Sequence, residues 1–370
     1  MKENFQKKIF VVDSPYSAMF VSCILDYENI DACNLLIEIK KNLDIPTKHI
    51  FAIKSILSNH KINYLKTATV PAPYFITKKN SSFYQKLKDL LKFKKKLLRS
   101  YSPLKLTKYI CPSSSGIVKL VKSENATCFD HGLGDYLTPL IIKNNIINFF
   151  FNLVWIFFLK IIGLYNYFSY DSYYTPFFFK NNINKFIDLS KYRIPLFLRN
   201  KLTILKLNHK KIVLVLVRSE WHLSKKKPEH SSFFDTFNLK LIQRNCSKNE
   251  SIIIKYHPSV FLKKLSNESL ERKCKDLGYN VINVDRYLPN NLKGMLPAEI
   301  IINYFNIKKI VSAVGSSVLF NFSHLNNIEK TIDHVPFLSI ERQGIHQKAI
   351  SKLCIAGNNL IPKKILIKKE

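Results

Sequence analysis

Glycine is nearly missing from this chain: nine residues in 370, where average usage near 7% would give roughly 26. A Gly/Ser linker is excluded, and each glycine that remains marks a place where the backbone needs its freedom. Acids are scarce as well, 26 Asp and Glu against 58 Lys and Arg, for a formal charge of +32. A field of that sign attracts anions such as nucleotides, acidic glycans, anionic headgroups or nucleic acid. Because most of the cations are Lys, the attraction is diffuse rather than bidentate. The seven cysteines (Cys23, Cys33, Cys111, Cys128, Cys246, Cys274, Cys354) include no C-x-x-C pair. That excludes a disulfide frame and a zinc knuckle and points to a reducing compartment. No internal repeat or heptad run is present. The N-terminal MKENFQKKIFVVDSPYS breaks its apolar run with Asp13 and Pro15, so no export signal is expected.

What is there is a length suited to about two domains and two series of short β-branched runs. The first is KKIFVV (7–12), HIFAI (49–53), GIVKLV (116–121) and ATCFD (126–130). The second is KKIVLVLV (210–217), SIIIKY (251–256), NVINV (280–284) and KKIVSAV (308–314). Strands alternating with helix-length stretches predict parallel sheets flanked by helices. An aromatic and basic region ending in RNKLTILKLNHKK places a boundary near 200–209. The expectation is an α/β chain of two doubly wound domains, 1–205 and 206–370, facing a cleft, with a final helix returning to the first. Residues 146–165 are long enough to span a bilayer but carry Asn148, Asn152 and Lys160. A span, an interfacial helix and a buried core helix all remain open.

In open α/β sheets ligands sit beyond the carboxyl ends of strands, so the turns there carry the chemistry. In FDHGLGDY (129–136), Asp130 ends a strand beside His131, with Gly132 and Gly134 following. A carboxylate there can take a proton from a hydroxyl, or it caps a helix while the glycines make a tight turn. In KYHPSV (255–260), Pro258 biases His257 to an extended conformation that ends the ladder. The imidazole then meets a leaving phosphate or serves a structural role. In SAVGSSVLFNF (312–322), Gly315, Ser316 and Ser317 form an anion site without a Walker pattern, or an N-cap. In LPAEIIINYF (296–305), Glu299 lies in a helix's first turn, favoured there by the dipole or placed to accept ribose hydroxyls.

Taken in order, these motifs resemble the bacterial sialyltransferase and polysialyltransferase group of GT-B glycosyltransferases. The group's acidic Asp/Glu-Asp/Glu-Gly motif reads Asp130-His131-Gly132, its His-Pro motif His257-Pro258, and its paired hydroxyl motif Ser316-Ser317. IFVVDSPYSAMF, with Ser14 in its turn, is similar to the group's first strand, and DHGLGDY is closest to the polysialyltransferase-like branch. The resemblance implies two Rossmann-like domains, an acceptor-side first and a nucleotide-sugar-binding second. It implies inverting transfer of sialic acid from CMP-sialic acid to a lipooligosaccharide or capsular polysaccharide. Asp130 would be the general base and His257 the partner or acid of the phosphate. Ser316 and Ser317 would grip that phosphate and Glu299 the ribose, with no cofactor or metal. His131 departs from the acidic pattern and is expected to orient Asp130 or the acceptor.

The partners expected are a nucleotide-sugar donor, an anionic glycan or glycolipid acceptor and an anionic membrane surface, with no nucleic acid. The expected location is cytoplasmic, peripheral on the inner membrane face. Two alternatives stand: a related transferase using CMP-Kdo or another nucleotide sugar, and a non-catalytic basic protein binding nucleic acid or membrane. Against the latter, no K/R-G-F/Y-G-F signature is present.

Overall fold

The computed structural model describes residues 8–40, 46–70, 83–101, 108–112, 115–121, 125–129, 157, 161, 172–176, 185–203, 211–217, 231–256, 268–313, 316–333, 335–337 and 365–368. The chain forms two compact units, residues 1–175 with 181–187, and residues 176–180 with 188–370.

The first unit runs β1 (Lys8–Val12), α1 (Pro15–Tyr27), β2 (Ala32–Lys40), α2 (Pro46–Ile56), β3 (Lys61–Val70), α3 (Phe83–Tyr101), β4 (Lys108–Pro112), β5 (Ala126–Phe129), β6 (Ser172–Thr175) and β7 (Lys185–Phe186). These strands make one sheet ordered β3-β2-β1-β4-β5-β6-β7, all pairs parallel. Strand order reverses between β1 and β4, the switch point of a doubly wound sheet. Phe10, Val11 and Val12 are wholly buried, as a strand covered on both faces requires. The chain then turns at once into α1. Ser14 Oγ accepts the Ser17 amide at 3.1 Å, and Ser17 Oγ accepts the Ser14 amide at 2.9 Å, a reciprocal capping box.

The second unit runs α4 (Leu196–Thr203), β8 (Ile212–Val217), α5 (Ser231–Asn245), β9 (Ser251–Tyr256), α6 (Glu268–Asp276), β10 (Asn280–Asn283), α7 (Val284–Tyr287), α8 (Ala298–Tyr304), β11 (Ile307–Ser312), α9 (Ser317–Asn321), β12 (Glu329–Asp333) and β13 (Ile365–Lys368). Its sheet is ordered β10-β9-β8-β11-β12-β13, again all parallel, reversing between β8 and β11. The two Rossmann-like units expected of the GT-B class are both present.

Several expectations differ in detail. HIFAI lies in α2, not in a strand. Pro46 opens that helix, and His49, Ala52, Ile53 and Ile56 are buried at helical spacing. GIVKLV holds a 3-10 turn, Ile117–Lys119, because the Gly116 and Ile117 amides are committed to a carboxylate described below. The unit boundary falls at 187/188, ahead of 200–209. Polar contacts tie the intervening stretch to the second unit: His324 Nε2 to Asp188 Oδ1 at 3.0 Å, Asn303 Nδ2 to the Leu189 carbonyl at 2.7 Å, and Thr203 Oγ1 to Tyr304 Oη at 2.8 Å. Burial pushes the Asp188 carboxyl up, but the bonds from His324 and Ser190 outweigh it and hold it at about 2. Residues 365–368 form a strand of the second sheet, and residues 338–364 before it lie outside the described residues.

All six described cysteines are buried thiols, none joined in a disulfide. Of the 146–165 run only Phe157 and Ile161 are described, each 64% exposed, which sets those two side chains outside the core. Among the described residues no helix is long and apolar enough to cross a membrane.

Candidate active site

In the first unit, Asp130, His131, Gly132 and Gly134 lie outside the described residues, directly after β5. The described part of this sheet edge is built around Glu38, which an acid-poor sequence hides inside the apolar strand CNLLIEIK. Its side chain is almost fully buried. It accepts hydrogen bonds from Tyr101 Oη at 2.5 Å, Ser115 Oγ at 2.6 Å and the Gly116 amide at 3.0 Å. Burial pushes its carboxyl above the usual range, these bonds pull it partly back, and Asp13 adds to the rise. Glu38 thus pins the turn after β4 at the switch point. A Cβ on Gly116 would stand 2.5 Å from Tyr101 Oη and 2.9 Å from Val70 Cγ1, so only glycine fits that approach. Ser14 spends its hydroxyl on the α1 cap.

In the second unit, His257 and Gly315 lie outside the described residues, immediately after β9 and before Ser316. Ser316 is the N-cap of α9 with extended backbone (φ −105°, ψ 139°) and makes no side-chain capping bond. Ser317 follows as the first helical residue, and both are half-buried. Glu299 heads α8 and is only 2% exposed. Asn321 at the end of α9 donates to Glu299 Oε1 at 2.8 Å, so the structure links the Glu299 helix to the Ser316-Ser317 helix. Burial raises the Glu299 carboxyl to about 7, against the bonds from its own amide and Asn321 and the field of Lys255.

Sequence reasoning missed the pair beneath this site. Lys255, two residues before His257, places Nζ 3.0 Å from Asp285 Oδ2, with both side chains buried. Asp285 Oδ1 also accepts the Gly294 amide at 2.9 Å, at a glycine whose φ of 74° explains its identity. A lysine in an otherwise apolar strand, SIIIKY, was the available signal, since such a residue needs a buried partner.

The raised Glu299 carboxyl gives a signed pH prediction. Free glutamate ionises near 4.3. The stability tied to the protonated form is therefore complete below that pH and lost as pH rises through the folded value of about 7. Glu299→Gln keeps the Asn321 bond and cannot ionise. Its melting temperature should equal wild type at pH 4 and exceed it at pH 8, by on the order of 3 kcal/mol in stability. Equal melting at both pH values would contradict the assignment.

Two all-parallel doubly wound sheets define an open α/β class whose ligands bind beyond the carboxyl ends of the strands. The sequence profile of the alpha-2,8-polysialyltransferase (POLYST) family matches residues 8–333, and the chain belongs to that family. It is accordingly a glycosyltransferase of sialyltransferase type. No curated protein matches the chain. Among solved structures, a UDP-N-acetylglucosamine 2-epimerase is similar at 10% identity, covering 95% of this chain and 86% of its own, with a TM-score of 0.37. A likeness of that size carries no argument; the fold rests on the strand order.

Proposed function

We propose that this chain transfers sialic acid from CMP-sialic acid to a hydroxyl of a cell-surface glycan, a lipooligosaccharide or capsular polysaccharide, with inversion. The observation that carries this reading is the family match across residues 8–333, which takes in every motif in order. In the single displacement, Asp130 accepts the acceptor hydroxyl's proton as its oxygen bonds to the anomeric carbon. The bond from that carbon to the phosphate oxygen breaks, and CMP departs. His257 stabilises or protonates the leaving phosphate, Ser316 and Ser317 donate to it, and Glu299 accepts from the ribose. The oxocarbenium-like transition state gains from contacts that strengthen as charge moves onto the phosphate. The steps use the chain's own residues, with neither metal nor cofactor.

The first unit is read as the acceptor side and the second as the donor side, with the enzyme working at the inner face of the cytoplasmic membrane. The half-buried Ser316 and Ser317, whose helix is linked to Glu299 through Asn321, support the donor assignment.

The test offers CMP-sialic acid, CMP-Kdo, UDP-sugars and GDP-sugars with a mixed acceptor set, and scores released nucleotide and product mass. CMP release from CMP-sialic acid, with acceptor mass rising by sialic acid residues, is expected. Release from another donor alone, or no thermal shift with CMP, would overturn the reading.

A further inference from the structure

One strongly charged surface has no part in the chemistry above. The helix α3 carries FYQKLKDLLKFKKKLLRSY, with Asp89 its one acid. Phe93, Leu97 and Tyr101 are buried and seat it on the first unit. Ser100 Oγ donates to the Thr69 carbonyl of the edge strand β3 at 2.6 Å. At 100° per residue the opposite face gathers Lys88, Lys92, Lys95 and Arg99 in one stripe, all exposed. Beside that stripe, two turns apart on one line, Leu91 and Leu98 are 49% and 50% exposed.

We infer that this face of α3 docks the enzyme on an anionic lipid bilayer, with Leu91 and Leu98 entering the headgroup boundary and Lys88, Lys92, Lys95 and Arg99 at phosphate level. A soluble polyanion would engage the cations but has no use for a leucine edge, whereas a bilayer interface takes both. The inference rests on the membrane-surface location proposed above and names the residues responsible for it.

The test sediments the full-length chain with vesicles of phosphatidylcholine alone, or mixed two to one with phosphatidylglycerol. Wild type is expected to pellet only with the anionic vesicles. The triple variant Lys92→Glu, Lys95→Glu, Arg99→Glu should lose more than about tenfold in vesicle affinity while transferring to a soluble acceptor at the wild-type rate. The variant Leu91→Ser, Leu98→Ser should still bind at low salt but release at about 0.15 M, where the Debye length is near 8 Å and charge alone holds poorly. If wild type binds the anionic vesicles and both variants bind equally well, α3 is not the docking face, although the membrane location stands. If wild type binds neither vesicle, the location itself falls, and the inference with it. Loss of affinity for a soluble oligosialic acid with vesicle binding unchanged would assign the face to the glycan and overturn the inference.

Discussion

Asp130→Asn should cut transfer by about 10²–10⁴-fold, the usual contribution of a positioned general base, while calorimetry with CMP returns the wild-type affinity. The amide keeps the size of the carboxyl but cannot accept the proton that the acceptor hydroxyl must lose. The residues proposed for the nucleotide, Glu299, Ser316 and Ser317, belong to the other unit, so donor binding has no reason to change. His131 occupies the position where the family pattern has a second acid, which leaves Asp130 as the only carboxylate of the Asp130-His131-Gly132 triplet. Wild-type turnover in Asp130→Asn would remove it from the base role. Loss of CMP binding along with turnover would instead show that the motif organises the donor.

The second large effect is on stability. Asp285→Ala should cost about 3–5 kcal/mol, because it leaves the Lys255 ammonium buried without its carboxylate, and thermal melting would register the loss. Lys255 is 4% exposed and Asp285 wholly buried, so water cannot readily replace the partner. The double variant Lys255→Met, Asp285→Asn should recover most of that stability, since the amide oxygen still accepts from Gly294 and no charge remains. Were Asp285→Ala to lose less than about 1 kcal/mol, the pair would have to be far better hydrated than its burial indicates. Because Lys255 stands two residues before His257, the single variant should also weaken CMP binding near its melting range.

The donor-side strands were readable for a plain reason. The strands IVLVLV and SIIIKY are covered on both faces, so they appear as nearly continuous apolar runs; His257-Pro258 follows the second directly in sequence, and Gly315-Ser316-Ser317 comes shortly after β11. The edge strand β3 was not readable: KINYLKTATV exposes Lys61, Asn63, Tyr64, Leu65, Thr67 and Thr69, and an exposed edge sends no core signal. HIFAI looked like a strand because five residues do not separate period two from period 3.6. The 188–203 stretch looked like part of the first domain, since nothing local announces the bonds of Asp188, Leu189 and Thr203 to residues more than a hundred positions onward.

The sequence by itself determined the class of fold, because strand periodicity is a local property of the chain, and its ordered motifs carried the family resemblance from which Asp130, His257, Glu299, Ser316 and Ser317 are proposed as site residues. Tertiary structure alone decided which acids are buried and by what they are held. Glu38 is fixed by Tyr101 and Ser115, Asp285 by Lys255, and Glu299 by Asn321. Each of those partnerships joins residues 22 or more positions apart, and a carboxyl's solvation and protonation follow from that enclosure rather than from its neighbours in sequence.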